Sequence, residues 1–268
     1  MRPPGRWPGL RLKELWEYRD LLYFLVWRDI KVRYKQTALG ALWAILQPVL
    51  ATAIFSIFFG GLAKVPSDGI PYPVFVYVAV VPWQLFAFCM SESATSLVTN
   101  QNLVKRVYFP RLVIPLSTVL AGLVDFGVAF LVLLIMLLKY RIVPSLTGIA
   151  LLPVMLFFTI AAALSIGLWL SALNVQFRDV RYTLPFITQI WLFATPVVYS
   201  SSLVPEKWRA LYGLNPMAGV VEGFRWALLG SAKGVGGQVW VSAGMVIVLL
   251  AGGLIYFRRL ESTFADTI

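Results

Sequence analysis

The chain has no histidine and a single cysteine, and its 12 acidic residues stand against 23 Lys and Arg in 268 positions, of which only 13% are charged. Without histidine, the commonest general base and the commonest metal ligand are both missing, so catalytic triads, zinc sites and histidine proton relays are disfavoured together. Cys89 has no partner for an intramolecular disulfide, and its apolar neighbours mark it as packing. No GxxxxGK[ST] occurs, so ATP cannot be held by a P-loop of this chain. The first twenty residues, "MRPPGRWPGLRLKELWEYRD", are broken by three prolines and lack an apolar core followed by a small-residue cleavage site, so this segment is expected to be retained.

What the chain has in excess is apolar: 59% of its residues, 15% aromatic, against about 45–50% apolar in soluble domains. About 20 apolar residues in a helix cross a bilayer core roughly 30 Å thick. Six stretches qualify, at Thr37 to Gly61, Pro73 to Leu97, Leu112 to Leu138, Leu146 to Asn174, Leu184 to Val204 and Gln238 to Phe257. Continuous apolarity without period-two alternation makes them helices, which satisfy their backbone groups locally in lipid. The expected fold is an all-α polytopic membrane protein. It divides into an amino-terminal segment 1–36 with an interfacial amphipathic helix, a six-helix region 37–257 and a carboxyl tail 258–268. Sixteen of the 23 Lys and Arg flank the spans on one side, the side of both termini, and this excess places both termini in the cytoplasm. The net charge of +11 follows from topology and anionic headgroups; no basic soluble domain is present to carry a nucleic-acid site.

Three segments between and before the spans carry information. In "WRDIKVRYKQTALGALWAILQP", helical spacing puts Arg28, Lys31 and Lys35 on one face and Trp27, Ile30 and Tyr34 on another, with Gln36 at the turn into the bilayer. Two readings stay open: a positive-inside anchor with an aromatic belt, or a helix that handles a partner protein or an anionic headgroup. The connection 99–111, "NQNLVKRVYFPR" within it, offers Asn100 or Asn102 as a helix cap and Pro110 as a stop. Its cations Lys105, Arg106 and Arg111 serve topology, whereas Tyr108 and Phe109 read either as an exposed docking pair or as packing beneath the loop. The segment 204–236 is too apolar for a plain loop; Asn215 and Pro216 start a run too short to span, so paired re-entrant or interfacial helices are expected there.

Among the acids, Glu92, Asp125 and Glu222 have apolar surroundings. Glu92 is expected in a structural ion pair, Glu222 in a local pair with Arg225, and Asp125 in a contact between helices or in a pathway. So few buried carboxylates, with no inverted repeat, disfavour ion-coupled transport. Aromatics at Trp83, Phe86, Trp191, Phe193 and Tyr199 fit belts and packing, or the lining of a path for sugar rings.

Together, "FLVWRDIKVRYKQTALGALWAILQP", "NLVKRVYFPR", "NVQFRDVRY", "LNPM" and "FRWALLG" resemble the membrane subunit of ATP-binding-cassette exporters of polysaccharide, the group of O-antigen, capsule and teichoic-acid permeases. The resemblance runs from about Leu22 onward. It implies six spans per subunit, a homodimer, and two copies of a separate cytoplasmic ATPase on which ATP and Mg are bound, with no cofactor on this chain. It implies a coupling helix over Asn100, Gln101, Asn102, Leu103, Lys105, Arg106, Tyr108, Phe109, Pro110 and Arg111. An interfacial helix would include Arg28, Asp29, Lys31, Arg33, Tyr34 and Lys35, with its cations on the diphosphate of an undecaprenyl-linked glycan. Outer gating helices would include Asn215, Pro216, Glu222, Phe224 and Arg225. The implied function is ATP-driven export of lipid-linked polysaccharide, O-antigen foremost, across a bacterial inner membrane. The alternatives are a related drug or lipid exporter, a passive channel, and a membrane enzyme acting on polyprenyl-linked sugars. For the last, no carboxylate cluster or metal motif is found in the sequence.

Overall fold

The computed structural model describes residues 12–35, 40, 42–230, 236–261, 263 and 264. Gln36 and Thr37, where the sequence marks the entry into the first span, lie outside the described residues. Helices α1 (Leu12–Glu17) and α2 (Arg19–Lys35) precede α3 (Leu42–Phe55), which continues as a π-helix, Ser56–Leu62. Then follow α4 (Tyr72–Thr99), α5 (Gln101–Arg106), α6 (Val113–Lys139), α7 (Leu146–Gln176), α8 (Val180–Ala194), α9 (Glu206–Tyr212), α10 (Pro216–Leu229) and α11 (Gly237–Leu260).

Among the described residues, five helices are long and apolar enough to cross a membrane: α3 with its π continuation, α4, α6, α7 and α11. The fifth stretch expected from sequence, Leu184 to Val204, departs from a continuous helix. Its helix α8 has 15 residues, about 22 Å, and the chain from Thr195 is irregular as far as a 3-10 turn, Ser201–Leu203. The cause is Pro196. A residue before proline is pushed out of the α region, and Thr195 sits at φ −101°, ψ 144°.

Helix α4 is the axis of the bundle. It packs on α7 and α6, and to a lesser extent on α10 and α3, and it is apolar all round because it is buried all round, with Val74 to Trp83 continuously enclosed. Apolarity alone does not hold helices together in lipid; close packing of small residues and interhelical hydrogen bonds do. At Gly148 of α7 an added Cβ would lie 2.1 Å from the carbonyl oxygen of Ala227 in α10. Ser242 of α11 accepts from the Gly219 amide at 3.1 Å and donates to the Gly213 carbonyl at 2.7 Å. Asn174 of α7 donates to the Ala94 carbonyl at 3.1 Å, and Ser93 and Thr118 share a hydrogen bond at 3.2 Å.

These contacts give the bundle two distinct ends. At one, α5, the end of α4, the start of α6 and the ends of α7 and α11 close over an apolar cluster that includes Leu25, Leu97, Phe109, Leu112, Phe257 and Phe264. At the other, α9 and α10 meet the starts of α7 and α11.

Helix α2 runs along α6 in the same direction, from Leu25 in the end cluster past Asp29, which accepts from Ser117 at 3.4 Å, to Arg33 and Tyr34 opposite Asp125. This corrects the simple amphipathic picture. The inward face carries two charges, Asp29 and Arg33, while the outward face mixes exposed Tyr23, Phe24, Trp27 and Val32 with Lys31 and Lys35. Polar groups on α6 hold the charged inward residues, so the charges do not sort to solvent.

Candidate functional site

The 99–111 connection contains α5 and a loop with two opposite roles for its aromatics. Tyr108 is 86% exposed, but Phe109 is 2% exposed and seated in the end cluster; of the two readings open in the sequence, exposure holds for Tyr108 and packing beneath the loop for Phe109. The loop is fastened on both sides. Glu261, just past α11, accepts from the Arg111 amide at 2.7 Å and pairs with Arg258 at 3.6 Å. Arg111 also stacks on Phe109, 5.2 Å from its ring centre. Asn100 occupies the N-cap position of α5 without a capping bond from its side chain. Instead its amide donates to the Ser96 carbonyl at 2.8 Å and closes the end of α4. Among the other residues singled out there, Gln101, Asn102 and Leu103 lie within α5, Lys105 and Arg106 form its exposed last turn, and Pro110 begins the turn into α6.

A second constellation joins α2 to the bundle. Arg33 pairs with one carboxylate oxygen of Asp125 and Tyr34 donates to the other, while the guanidinium lies 4.0 Å from the ring centre of Phe88 in α4. Asp125 is thus the contact between helices that its position allowed, and Arg33 is already neutralised. Arg28 is engaged too, in a two-pronged bond to Asp29 at 3.0 and 2.7 Å. Lys31 rests on Trp27, 5.0 Å from the ring, and Lys35 is exposed. No ion pair of Glu92 is present among the described residues, which corrects the pairing expected for it. Beside Asp125, α2, α3, α4 and α6 line a partly open cavity of about 260 Å³, with Trp43 and Gln47 of α3 at its exposed side.

The third constellation is the break after α8. Irregular backbone within a bundle must find partners for its carbonyls, and here three side chains, Tyr72 of α4, Asn215 at the start of α10 and Arg225 within it, supply them. Asn215 donates to the Ala194 carbonyl at 3.1 Å, Tyr72 to Val198 at 2.6 Å, and Arg225 to Val197 at 2.8 Å and Tyr199 at 3.2 Å. Asp68 accepts from Ser200 at 2.5 Å and from Ser202 at 3.3 Å. Arg225 is buried, lies 3.7 Å from the Phe75 ring centre and pairs with Glu222 at 3.6 Å. Burial draws its pKa down to about 10, against the pull of Glu222, so it remains charged at neutral pH. The expected Glu222 and Arg225 pair is present, but its larger role, capping the broken helix, gave no sign in the sequence. Neither did Asp68, Tyr72 or Ser200. Asn215 and Pro216 start α10 as anticipated, the asparagine accepting from Met217 at 3.0 Å.

The aromatics split. Trp83 and Phe86 are enclosed in the core, ring to ring with one another at 5.4 Å, and Phe86 meets Trp191 at 5.3 Å, so these two do not line a path in this subunit. Phe224 packs edge-on to Phe126 inside the bundle. Phe193 is exposed on α8, and Trp191 and Tyr199, with Trp208, Tyr212 and Asn215, border an open cleft of about 390 Å³.

Comparison with known proteins finds relatives over nearly the full length of the chain. The chain is similar to an O-antigen export system permease protein RfbA of Klebsiella pneumoniae, with 30% identity over 93% of this chain and 95% of that protein. Its similarity to the RfbA permease of Myxococcus xanthus is also 30%, over 96% of this chain and 98% of that protein. A polysialic acid transport protein KpsM of Escherichia coli is 26% identical over 87% of this chain and 91% of that one. Residues 20–229, from α2 through α10, match the family model described as ABC-2 type transporter, and the chain belongs to that family.

Proposed function

We propose that this chain is the membrane subunit of an ATP-driven exporter that moves undecaprenyl-diphosphate-linked polysaccharide, O-antigen foremost, out of the cytoplasm. It works as a homodimer with two copies of a separate ATPase that binds ATP and Mg. Its relatives include O-antigen export permeases and a polysialic acid transport protein; the family and its apolar helices support a multi-pass transport subunit. The inner membrane is the proposed location, with both termini cytoplasmic.

The observation that carries the reading is the loop 99–111. Tyr108 stands free for a partner, while Phe109, Arg111 and Glu261 tie the same loop to α6 and α11. A push on the exposed ring would therefore move two long helices. Six crossings are proposed as well: α7 ends where α5 lies and α11 begins at the opposite end, so α8 and its irregular extension carry the chain across. Helices α9 and α10 then form the outer gate. Because Arg33 and Arg28 are engaged within the chain, Lys31 and Lys35 are the cations offered to a diphosphate headgroup.

The test is ATPase turnover of the chain co-assembled with its ATPase in lipid, with undecaprenyl-diphosphate-linked glycan added. Tyr108→Ala is expected to keep the fold within about 0.5 kcal/mol, as an exposed site does, and to lose glycan-stimulated turnover. Phe109→Ala is expected to destabilise by about 3–5 kcal/mol, as deletion of a buried ring does. Undiminished stimulation in Tyr108→Ala would remove the loop from the coupling mechanism, and failure of any ATPase to assemble would remove ATP-driven export.

A further inference from the structure

The cavity beside Asp125 has a composition that packing does not explain. Its lining includes two side-chain amides, Gln47 of α3 and Gln84 of α4, and neither makes a hydrogen bond among the described residues. Gln84 is twelve residues into α4 from Tyr72, and Asp125 twelve into α6 from Val113. Each therefore lies about 18 Å from the nearer end of its helix, close to the middle of the bundle. Polar groups at such depth are held by partners or face water or a ligand, since hydrocarbon leaves them unsatisfied. Asp125 uses one acceptor site on each oxygen, for Arg33 and Tyr34. A carboxylate has roughly four such sites, so about two remain.

The same geometry defines what the cavity accepts. Among the described residues its charged lining is Arg33 and Asp125, which cancel, so an anion gains nothing there. Two amides offer donors and acceptors in pairs, the carboxylate offers acceptors, and Trp43 supplies a flat apolar wall that is itself half exposed. The volume of about 260 Å³ holds several waters at roughly 30 Å³ each, or one ring carrying several hydroxyls. We infer that this cavity is a binding subsite for a neutral, hydroxyl-rich ring, and, resting on the proposed polysaccharide export, that it holds a sugar unit of the chain in transit. It is distinct in chemistry from a site for the diphosphate.

The experiment uses the complete transporter with its ATPase in lipid vesicles, with Cys89→Ser as background and Gln84→Cys as reporter. The probes are a charged methanethiosulfonate, the exported glycan released from its carrier by mild acid, and inorganic diphosphate. The reporter is expected to be labelled, and the free glycan to slow labelling while diphosphate does not. Adding Gln47→Leu is expected to raise the glycan concentration for half protection about fivefold, the equivalent of one neutral hydrogen bond. An unlabelled reporter, labelling that glycan leaves unchanged, or protection by diphosphate each overturns the subsite. Export of glycan by the unmodified transporter is measured in parallel. If export occurs and protection does not, only the subsite falls; if export is absent, the reading beneath it falls too.

Discussion

At the scale of single residues, Arg225 shows how one side chain can make an irregular membrane segment possible. Its guanidinium satisfies two carbonyls of the chain after α8, faces Glu222 and covers Phe75. Removing it leaves the carbonyls of Val197 and Tyr199 without that donor and Glu222 with its charge uncompensated. Loss of one partner from a buried pair costs about 3–5 kcal/mol, so Arg225→Met is expected to lower the unfolding temperature of the purified protein sharply. Arg225→Lys keeps the charge but not the fork that reaches two acceptors, and is expected to recover only part of the loss. A Met variant as stable as the parent would show that the break after α8 is held by other contacts, Tyr72 and Asn215 first among them. Of these contacts, only the pairing of Arg225 with Glu222 was legible in the sequence. The two are neighbours three apart, but the carbonyls Arg225 serves belong to a stretch 26 and 28 residues away, and no side-chain pattern marks a carbonyl that needs a donor.

At the scale of elements, helices were readable and their faces were not. The apolar runs located α4, α6, α7 and α11 closely, because a length that spans lipid admits little else. Helix α8 was misjudged at its end, where Pro196 was the signal available and was overridden by the continuing apolarity of Val197 and Val198. The inward charges of α2 were misjudged because helical spacing shows which residues share a face, not what that face meets; Arg33 and Asp125 are 92 residues apart. Packing between α7 and α10 was invisible for the same reason. There Gly148→Ala is expected to cost about 1–3 kcal/mol, the usual range for overpacking, since the added methyl meets backbone oxygen at 2.1 Å. Gly127→Ala in α6 meets nothing within 4 Å and is expected to be tolerated, with a gain in helix propensity. Equal melting temperatures for the two variants would mean that α7 and α10 can separate slightly without loss.

At the scale of the whole molecule, the decisive quantity is which side of the membrane each end faces. Five helices among the described residues qualify as spans by length and composition, and if α8 turned back without crossing, Trp208 of α9 and Tyr108 would share one side. The contacts favour the other arrangement. Helix α8 begins just after α7 and contacts α4 through Trp191 and Phe86, and the chain after it reaches Tyr72, the first residue of α4, through Val198. Fifteen helical residues give about 22 Å, and the irregular residues that follow make up what a core of roughly 30 Å requires. In a Cys89→Ser background, Tyr108→Cys is expected to react with a membrane-impermeant maleimide only after the membrane is opened, and Trp208→Cys in intact cells. Labelling of both from one side would leave five crossings, put the carboxyl end opposite the loop 99–111, and separate Glu261 from the Arg111 amide it binds at 2.7 Å. That bond is the structural reason to expect six.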